Sequence, residues 1–350
     1  MPTKFYPYIN KGKYVDLRKA FSFGTNIVAF IGARGFGKTY GSKKYCLKRS
    51  FRNNLKFLFL RDNELALKEI TDNDCLNYLK DIKKDDQLKR FFKGKYISFK
   101  TRILEVDEKL LGYFYATSTY YNLKGNEFSD VDIIVFDEFI KEKGQAQRGN
   151  RAGAFLNMVE TVLRLKTKAK IILTANALDR GDEILDILGV NINKGYGFYV
   201  NRDRPPATVC VYYCCNSASF EEAKLKSISG ALASGTAYGG NLIKNEFASN
   251  DINLYDERPK GTDLIAIFKD ENGSRIRIAL GDNNKMYVYN DPNPRGNSDI
   301  RFVNDIKLVD PDYSLAPPAL IDAMKRAHGS KAALFESARV YNIFLSIIGK

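Results

Sequence analysis

The chain has 350 residues, of which 44% are hydrophobic and 27% are charged, so it is long enough for two domains with real cores. The apolar run near its start, residues 27–31, is five residues long, whereas a membrane helix needs about 20. The first residues lack the basic stretch, apolar run and small-residue cleavage site of a secretory signal. We therefore expect a cytoplasmic protein with no membrane span.

The chain is strongly basic. It contains 55 Lys and Arg against 41 Asp and Glu, which gives a net charge of +14. The excess is greatest at the start, where residues 1–60 contain thirteen Lys or Arg and one acid, Asp16. Such an excess favours a polyanionic partner, most often nucleic acid. The alternative is a basic protein whose charge serves only solubility.

Cysteine and histidine usage disfavours disulfide, zinc and histidine chemistry. An odd number of cysteines without a secretory signal is atypical of a disulfide framework. The group at 210–215 has no C-x-x-C spacing and no nearby histidine, so we interpret it as small apolar groups in a strand region. The single histidine, His328, has no partner for a triad. The cysteines are Cys46, Cys75, Cys210, Cys214 and Cys215.

The first half of the chain alternates strand and helix patterns. Residues 27–31 predict a buried strand, followed by a Gly-rich loop, a helix from Lys38 to about Phe51 and a second strand at 55–60. Such alternation indicates a parallel sheet covered on both faces. The pattern further predicts short strands at 96–99 and 110–115, buried strands at 131–136 and 170–173, and an amphipathic helix at 155–165.

The second half has a different pattern. The segment 202–206, R-D-R-P-P, interrupts regular structure, and a Gly/Ala/Ser-rich stretch follows at 229–240. Beyond it, hairpin turns at 271–273 and 282–284 predict an antiparallel meander, and two helices follow. The predicted strands are 264–268, 275–280 and 286–289, and the predicted helices are 317–328 and 332–348. We expect an α/β domain over 1–200, a linker or lid over 201–250, and a small α+β domain over 251–350.

Residues 32–39, G-A-R-G-F-G-K-T, match the phosphate-binding P-loop G-x-x-x-x-G-K-[ST]. The glycines let backbone N–H groups point at phosphates, Lys38 reaches the β- and γ-phosphates, and Thr39 places a hydroxyl on Mg²⁺. The helix that follows adds its positive N-terminal end. The predicted cofactors are therefore ATP and Mg²⁺. The loop residues are Gly32, Ala33, Arg34, Gly35, Phe36, Gly37, Lys38 and Thr39.

A second motif delivers two acids at the end of a buried strand. Residues 131–138 read V-D-I-I-V-F-D-E, and ligands of open α/β sheets bind at the carboxyl ends of strands. Asp137 is predicted to hold Mg²⁺ through water, and Glu138 to polarise the attacking water as a base. The acid pair indicates the ATPase branch with an added catalytic glutamate, and no guanine-reading N-K-x-D follows the P-loop.

A third strand, 171–175, ends in polar groups. We expect Asn176 to sense the γ-phosphate, with Thr174 as the second choice; an ordinary turn at the strand end is the alternative. Hydrolysis of this kind usually needs an arginine to neutralise transition-state charge. Arg34 could supply it within the subunit, and Arg164, at the end of a helix, could reach a neighbouring subunit. Two further candidates, with a solvated cation as the alternative for each, are Arg148 and Arg151.

Together these segments resemble the DNA-encapsidation (genome packaging) ATPases of small tailed phages of the Picovirinae type. The matching sequences are G-A-R-G-F-G-K-T, I-V-F-D-E-F-I-K-E-K, F-L-N-M-V-E-T-V-L-R and L-T-A-N-A, all within residues 26–176. Residues 235–247 and 287–292 add weaker matches. The resemblance implies a P-loop ATPase of the ASCE type with a mostly parallel central sheet.

For function, the resemblance implies a ring of identical subunits, a pentamer, that drives double-stranded DNA through the portal into an empty prohead. It places the protein in the cytoplasm of the infected bacterium, docked transiently on the portal vertex, with a packaging RNA as a further candidate partner. It implies the roles given above for Lys38, Thr39, Asp137 and Glu138.

The resemblance also implies roles for residues outside these motifs. Arg164 becomes the arginine finger in trans, and Lys124 a second trans-acting cation. The loop after the catalytic glutamate, with Lys141 and Lys143 on either side of Glu142, is expected to face the pore and grip DNA. Residues 60–64 are less basic than the family's equivalent segment, so no nucleotide-sensing role is assigned to Arg61.

For the C-terminal domain, the resemblance implies an RNase H-type fold without the metal site and with a docking role. Three candidate acids remain, namely Asp263, Asp282 and Asp291, and the last two lie in predicted turns. An alternative function is an ATP-regulated nucleic-acid-binding protein or nuclease that does not translocate DNA. A cellular helicase or replication initiator is a third, less favoured possibility, since we find no strand-separating motifs.

Overall fold

The described residues of a computed structural model form two compact units. The first is drawn from Met1–Leu178, Ile187–Val190 and Tyr196–Phe247, and the second from Asp179–Asp186, Asn191–Gly195 and Ala248–Lys350. Within the described part of the chain, no helix is both long and apolar enough to cross a membrane. The structure describes residues 9–10, 14–15, 17–32, 34–35, 37–123, 128–141, 150–176, 182–190, 192, 197–214, 222, 225–234, 236, 261–271, 273–281, 283–291 and 300–349.

The first unit is organised around a nine-stranded sheet, and two further short strands pair with each other beside it. The strands are β1 (Ile9–Asn10), β2 (Tyr14–Val15), β3 (Ile27–Ile31), β4 (Lys56–Arg61), β5 (Ile97–Lys100), β6 (Ile103–Val106), β7 (Lys109–Ala116), β8 (Val131–Asp137), β9 (Lys170–Ala175), β10 (Gly197–Asn201) and β11 (Val209–Tyr213). The large sheet has the order β10-β11-β3-β9-β8-β4-β7-β6-β5. The central pairs from β11 to β7 are parallel, and the outer ones are antiparallel. The predicted α/β class with a mostly parallel sheet is confirmed.

Helices connect these strands. The helices of the first unit are α1 (Leu17–Ala20), α2 (Lys38–Asn53), α3 (Glu64–Lys84), α4 (Asp86–Phe91), α5 (Arg151–Leu163) and α7 (Ile228–Ala233), and α6 (Glu183–Ile187) lies between the last two in the chain. All but the last residue of α6 falls in the segment Asp179–Asp186 of the second unit. Short 3₁₀ turns occupy Phe21–Phe23 and Thr117–Leu123. The predicted helix after the P-loop is α2, and the predicted amphipathic helix at 155–165 is α5, which begins four residues earlier, at Arg151, because Asn150 caps it through Gly153 N–H.

The core of this unit is aromatic. Phe57 and Phe59 on β4 and Phe114 on the neighbouring strand β7 are fully buried. Tyr78 of α3 packs edge-on against Phe114, with ring centroids 4.9 Å apart. Strands buried on both faces read as nearly continuous apolar runs, which is why β3, β4 and β8 are recognisable in the sequence. Cysteines also belong to this core, which confirms their interpretation as small apolar groups; Cys215 lies outside the described residues. The core cysteines are Cys46, Cys75, Cys210 and Cys214.

The second unit is a six-stranded mixed sheet with helices. Its elements are β12 (Asp263–Lys269), β13 (Arg275–Leu280), β14 (Met286–Asn290), β15 (Arg301–Val303), β16 (Ser314–Leu315), β17 (Ala333–Phe335), α8 (Pro318–Gly329) and α9 (Ala338–Ile348). The meander of β12, β13 and β14 is antiparallel as predicted, β15 runs parallel to β12, and β16 parallel to β15. The order β14-β13-β12-β15-β16 agrees with the expected RNase H-type arrangement, and β17 extends the sheet beyond β14.

Two predicted features differ from the structure. The R-D-R-P-P segment at 202–206 connects an antiparallel hairpin, because β10 and β11 pair on either side of it and β11 then pairs in parallel with β3. The first unit therefore continues past the expected domain boundary at residue 200. The expected helix at 332–348 begins only at Ala338, because Ala333–Phe335 pairs with β14 and Ser337 caps the helix. The helical periodicity of residues 338–348 was extended too far towards the N-terminus in the prediction, so the strand at 333–335 was assigned to the helix.

Candidate active site

The predicted catalytic groups meet at one edge of the large sheet. In the parallel register, Ile31 at the end of β3 lies beside Ala175, and Asp137 at the end of β8 lies beside Thr174. Leu60, next to the end of β4, pairs with Phe136. The carboxyl ends of four neighbouring strands therefore face the same space, which is where open α/β sheets bind ligands.

The P-loop adopts a conformation that needs glycine. Gly35 and Gly37 have φ values of +89° and +77°, in the left-handed region that other residues seldom adopt. Gly32 is close to β11, since a Cβ added there would lie 3.0 Å from the Cβ of Cys214. Gly37 directly precedes the 16-residue helix α2, whose positive N-terminal end therefore faces the loop. Ala33 and Phe36 lie outside the described residues.

Lys38 is the buried cation of the loop. Its Nζ donates to Gly32 O at 2.6 Å and to Asn176 Oδ1 at 3.3 Å. Burial lowers the pKa of the Lys38 ammonium to about 8, although the carboxylates of Asp137 and Glu138 oppose that shift. Lys38 is therefore mostly charged at neutral pH. Its contacts with Gly32 O and Asn176 Oδ1 are ones that phosphate oxygens could replace.

Asp137 is held by two hydroxyl groups. Thr39 Oγ1 donates to Asp137 Oδ1 at 2.8 Å, and Thr174 Oγ1 donates to the same oxygen. The Asp137 side chain is only 1% exposed. Its Oδ2 has no hydrogen-bond donor within the described part of the chain, and lies 3.0 Å from Arg61 Nη2. A carboxylate oxygen of this kind beside a threonine hydroxyl fits Mg²⁺, which prefers oxygen ligands.

Glu138 projects into the cleft from a strained backbone position. Its φ is +58°, which is uncommon outside glycine, and the following N–H, of Phe139, donates to Thr174 O at 3.0 Å. The Glu138 side chain is 49% exposed. Asn176 Nδ2 approaches Glu138 Oε1 at 3.4 Å, so this one amide contacts both Lys38 and Glu138. The predicted sensor thus lies between the phosphate-binding lysine and the predicted base.

Arg61 is a site residue that sequence reasoning missed. Its guanidinium pairs with Asp137 through Nη2 and with Glu138 through Nη1, and its side chain is 12% exposed. Arg61 ends β4, the sheet neighbour of β8, although the two strands are separated in the chain by three others. A cavity of about 60 Å³ has both Arg61 and Arg34 in its lining, together with Glu138 and Asn176. The sequence signal was an arginine at the end of a buried strand.

Two predicted cations are engaged in ion pairs. Lys141 Nζ lies 3.1 Å from Asp62 Oδ2, and the Lys141 side chain is 11% exposed. Arg151 Nε lies 3.1 Å from Asp62 Oδ1, and Arg151 also donates to Phe139 O. With 8% of its side chain exposed, Arg151 is not a solvated cation, which was the alternative to a role in hydrolysis. In this conformation Lys141 does not face solvent either.

Arg164 lies at the opposite edge of the sheet from the cleft. It is exposed and follows α5, in the connection that leads to the first residue of β9. The same connection contacts the start of β8, because Lys166 Nζ donates to Val131 O at 2.6 Å. A six-residue strand spans roughly 17 Å, so Arg164 is separated from its own Glu138 by the height of the sheet. Outside the described residues lie Lys124, Glu142, Lys143, Arg148 and Asp282.

Two acids considered for the second unit do not share a site. Asp263 begins β12, whereas Asp291 follows β14 and its N–H donates to Arg275 O at the start of β13. Since β12 and β13 are antiparallel, the two acids lie at opposite ends of the meander. Asp291 is buried and accepts from Arg277 Nε at 2.8 Å.

The chain is similar to known proteins in sequence and in fold. The DNA packaging protein of Bacillus phage B103 is 28% identical over 264 residues, covering 74% of this chain and 75% of that protein. The DNA packaging protein of Bacillus phage phi29 is 25% identical over 260 residues, covering 73% of each. A chain of the phi29 viral genome packaging motor assembly superposes with a TM-score of 0.65 at 21% identity, over 94% of this chain and 97% of that one. The family profile of the Podovirus DNA encapsidation protein (Gp16) matches residues 9–307. The chain therefore belongs to the Podovirus DNA encapsidation protein family.

Proposed function

We propose that this protein is an ATPase that works as a ring-shaped motor and translocates double-stranded viral DNA into a preformed prohead. The proposal rests on five side chains that lie together at the carboxyl ends of the parallel strands. They are Lys38, Thr39, Asp137, Glu138 and Asn176. Those five side chains are the parts that ATP hydrolysis requires, and the family to which the chain belongs handles DNA.

Each group has a distinct task in hydrolysis. The P-loop N–H groups and Lys38 bind the phosphates, with Lys38 exchanging its contact with Gly32 O for a phosphate oxygen. Thr39 and Asp137 would hold Mg²⁺, which supplies neutralisation of phosphate charge when bound. Glu138 accepts a proton from the attacking water, and Asn176 orients the Glu138 carboxylate.

Arginines complete the charge balance. Arg34 lies at the cleft of its own subunit, beside Glu138. Arg164 lies at the far edge of the sheet, so we assign it to the cleft of a neighbouring subunit, with Lys124 as the second cation supplied in trans. A closed ring of identical subunits supplies every cleft with a neighbour's Arg164, and the family resemblance implies that this ring is a pentamer.

The motor's partners follow from its charge and family. The net charge of +14 suits a DNA backbone, with Lys141 and Lys143 as the contact residues, and the second unit docks on the portal or on a packaging RNA. The motor acts in the host cytoplasm at the portal vertex. The separation of Asp263 from Asp291 disfavours a nuclease, because those acids cannot hold one metal cluster.

ATP turnover with and without double-stranded DNA tests the proposal. DNA should strongly stimulate hydrolysis by the wild-type protein, whereas an ATP-controlled switch would show little stimulation. Glu138→Gln should still bind ATP but hydrolyse it at least ~100-fold more slowly, since that is the typical loss for a general base. Glu69→Gln, which changes an exposed glutamate on α3, is the matched control. Unchanged turnover in Glu138→Gln would move the base elsewhere.

A further inference from the structure

The chain turns sharply where it leaves β8, and Glu138 lies at the turn. Its backbone φ of +58° belongs to the left-handed region, which residues other than glycine seldom adopt. Such a conformation persists only where the surrounding contacts hold it in place. Both neighbours of Glu138 in the chain are held. Asp137 accepts from two threonine hydroxyl groups through its side chain, and Phe139 is held through its backbone.

Phe139 is held through the peptide groups on both of its sides. Its N–H donates to Thr174 O on β9 at 3.0 Å, and its carbonyl accepts from Nη2 of Arg151. The Phe139 side chain is fully buried, so this residue cannot take a different path without disturbing the core. Thr174 fixes the peptide between Glu138 and Phe139, and Arg151 fixes the next one. Arg151 therefore determines the direction in which the chain leaves Glu138.

Arg151 is the first residue of α5, where a positive charge is unfavourable. The N-terminal end of a helix carries partial positive charge, and acidic side chains are favoured there. The Asp62 carboxylate offsets this repulsion by pairing with Arg151 Nε at 3.1 Å. Asp62 is held independently of α5, since its carbonyl accepts from Thr117 Oγ1 at 2.9 Å and from Ser118 N at 3.0 Å. The guanidinium therefore lies between two fixed partners, Asp62 and the carbonyl of Phe139.

The guanidinium of Arg151 lies behind the nucleotide cleft. Its side chain is 8% exposed. Among the described residues around the two neighbouring cavities, Arg151 lines only the larger one, of about 950 Å³, whereas Glu138 lines the one of about 60 Å³. A group that contacts the transferred phosphate must face the cleft. Any effect of Arg151 on hydrolysis is therefore transmitted through the backbone of Phe139 and Glu138.

We propose that Arg151 is a positioning residue for Glu138: it holds the turn after β8 so that the Glu138 carboxylate meets the attacking water. The inference rests on the proposed function, which makes Glu138 the base. Arginine suits this task because Nε and Nη2 belong to one rigid plane and reach two segments of the chain at once. Lysine has the same charge but a single nitrogen, which cannot occupy both positions.

Arg151→Lys in the full-length protein tests the proposal, with ATP turnover measured without DNA. We expect kcat to fall by about 10- to 100-fold, the loss that a small displacement of a catalytic group causes. The affinity for ATP should be unchanged, because Lys38 and the P-loop bind the phosphates without Arg151. Arg202→Lys is the matched control, since the exposed Arg202 also donates from Nη2 to a backbone carbonyl, that of Phe23, at 3.1 Å. This control should keep the wild-type kcat.

A double variant separates positioning from a direct role in hydrolysis. If Arg151 acts only through Glu138, Arg151→Lys has no further effect once the carboxylate is gone, so the double variant with Glu138→Gln hydrolyses ATP at the rate of Glu138→Gln alone. If Arg151 stabilises transition-state charge itself, or if its loss displaces Arg164 at the other end of α5, the two effects multiply. A double variant slower than Glu138→Gln by the factor seen for Arg151→Lys would overturn the proposal. Single-turnover measurements with radiolabelled ATP resolve these slow rates.

A second variant keeps the test decisive should Arg151→Lys fail to fold. Asp62→Asn retains the arginine and removes the carboxylate that orients its guanidinium, so kcat should fall at unchanged ATP affinity, again with no added effect in Glu138→Gln. Wild-type turnover in the variant that folds would overturn the positioning role and leave the proposed function intact. Wild-type turnover in Glu138→Gln would instead show that the proposed base is wrong, and the positioning role would fall with it.

Discussion

Asp137 and Glu138 are adjacent in the chain but have opposite surroundings. Asp137 is 1% exposed and accepts from two threonines, whereas Glu138 is 49% exposed and faces the cleft. The difference arises at the end of β8, where the chain turns through the positive φ of Glu138. The buried carboxylate is suited to holding a cation, and the exposed one to meeting water. The order of the two acids therefore assigns their tasks.

The lowered pKa of Lys38 predicts a pH dependence of ATP binding. Burial brings this pKa to about 8 in the free site, and the negative charge of bound phosphate raises it again in the complex. Above pH 8, binding must therefore take up a proton, so affinity falls as pH rises. Between pH 7.5 and pH 9.0 we expect a loss of about eightfold, provided that the pKa in the complex lies well above 9. The affinity for ATP can be measured by equilibrium binding across this pH range in buffers of matched ionic strength.

Two variants show whether Lys38 causes this dependence. Lys38→Ala should bind weakly, with an affinity that does not change over that pH range. Lys170, whose pKa is also lowered by burial, lies at the other end of the sheet and donates to Asn26 Oδ1 at 2.8 Å. Lys170→Ala should keep the full pH dependence. A wild-type affinity that is flat up to pH 9 would show that the pKa of Lys38 in the free protein lies outside this pH range, or that the charge of Lys38 contributes nothing to binding.

The sequence predicts some site residues and misses others for a topological reason. Lys38, Asp137 and Glu138 lie in motifs whose spacing is local, so the chemistry can be inferred from neighbouring residues. Arg61 contacts the second motif, and Asp62 contacts Lys141 just beyond it, only because β4 lies beside β8 in the sheet. That adjacency is not a property of any local segment, since β5, β6 and β7 intervene in the chain. Lateral strand order is the information that the sequence pattern lacks.

At the scale of elements, the missed features are short strands whose partners are distant. β17 has three residues and exists because it pairs with β14. Its pattern cannot be distinguished from the start of a helix by periodicity alone. For β11 the cysteine group indicated a strand region, but not its partner β3, from which more than 170 residues separate it. By contrast, the long helices α2 and α5 are recognisable from their helical periodicity, and β3 and β8 from their continuous apolar runs.

Where β4 pairs with β7, one glycine is packed so closely that its replacement should destabilise the protein. Gly112 of β7 lies opposite Phe57, and a Cβ added to it would lie 2.6 Å from three atoms of the Phe57 ring. Phe57 is fully buried, so the ring cannot move without disturbing its neighbours. Gly112→Ala should lower the free energy of unfolding by about 1–3 kcal/mol, the usual cost of overpacking. Urea denaturation measures this change through its midpoint.

A second glycine provides the comparison. Gly197 begins the edge strand β10, and a Cβ added there meets no atom of the described residues within 4 Å. Gly197→Ala should therefore leave the urea midpoint unchanged or slightly higher, because alanine restricts the unfolded chain. If both alanine variants unfold at the wild-type midpoint, the close contact between Gly112 and Phe57 does not constrain the sheet.

At the scale of the whole molecule, the two edges of the large sheet have different roles. The carboxyl edge carries Lys38, Asp137 and Glu138, while Arg164 is exposed at the opposite edge. A single subunit cannot bring Arg164 to its own cleft without dismantling the sheet between them. If Arg164 participates in hydrolysis, it therefore does so in an assembly of several subunits.

Arginine suits a finger in trans because its charge is permanent and its fork matches phosphate oxygens. Arginine fingers contribute on the order of a thousandfold or more in rate, so Arg164→Ala should nearly abolish hydrolysis while ATP binding survives. Lys168→Ala, which removes another exposed cation from the same connection, should hydrolyse ATP at close to the wild-type rate.

Mixing two inactive variants distinguishes action in trans from action within one subunit. In rings formed from Arg164→Ala and Glu138→Gln subunits, some clefts combine an intact Glu138 with an intact Arg164 from the neighbour. If Arg164 acts in trans, those clefts hydrolyse ATP, and the mixture recovers part of the activity that each variant lacks alone. Mixed rings that form but stay inactive would contradict this assignment. Arg34, which already lies beside Glu138 in the cleft of its own subunit, would then be the arginine to test.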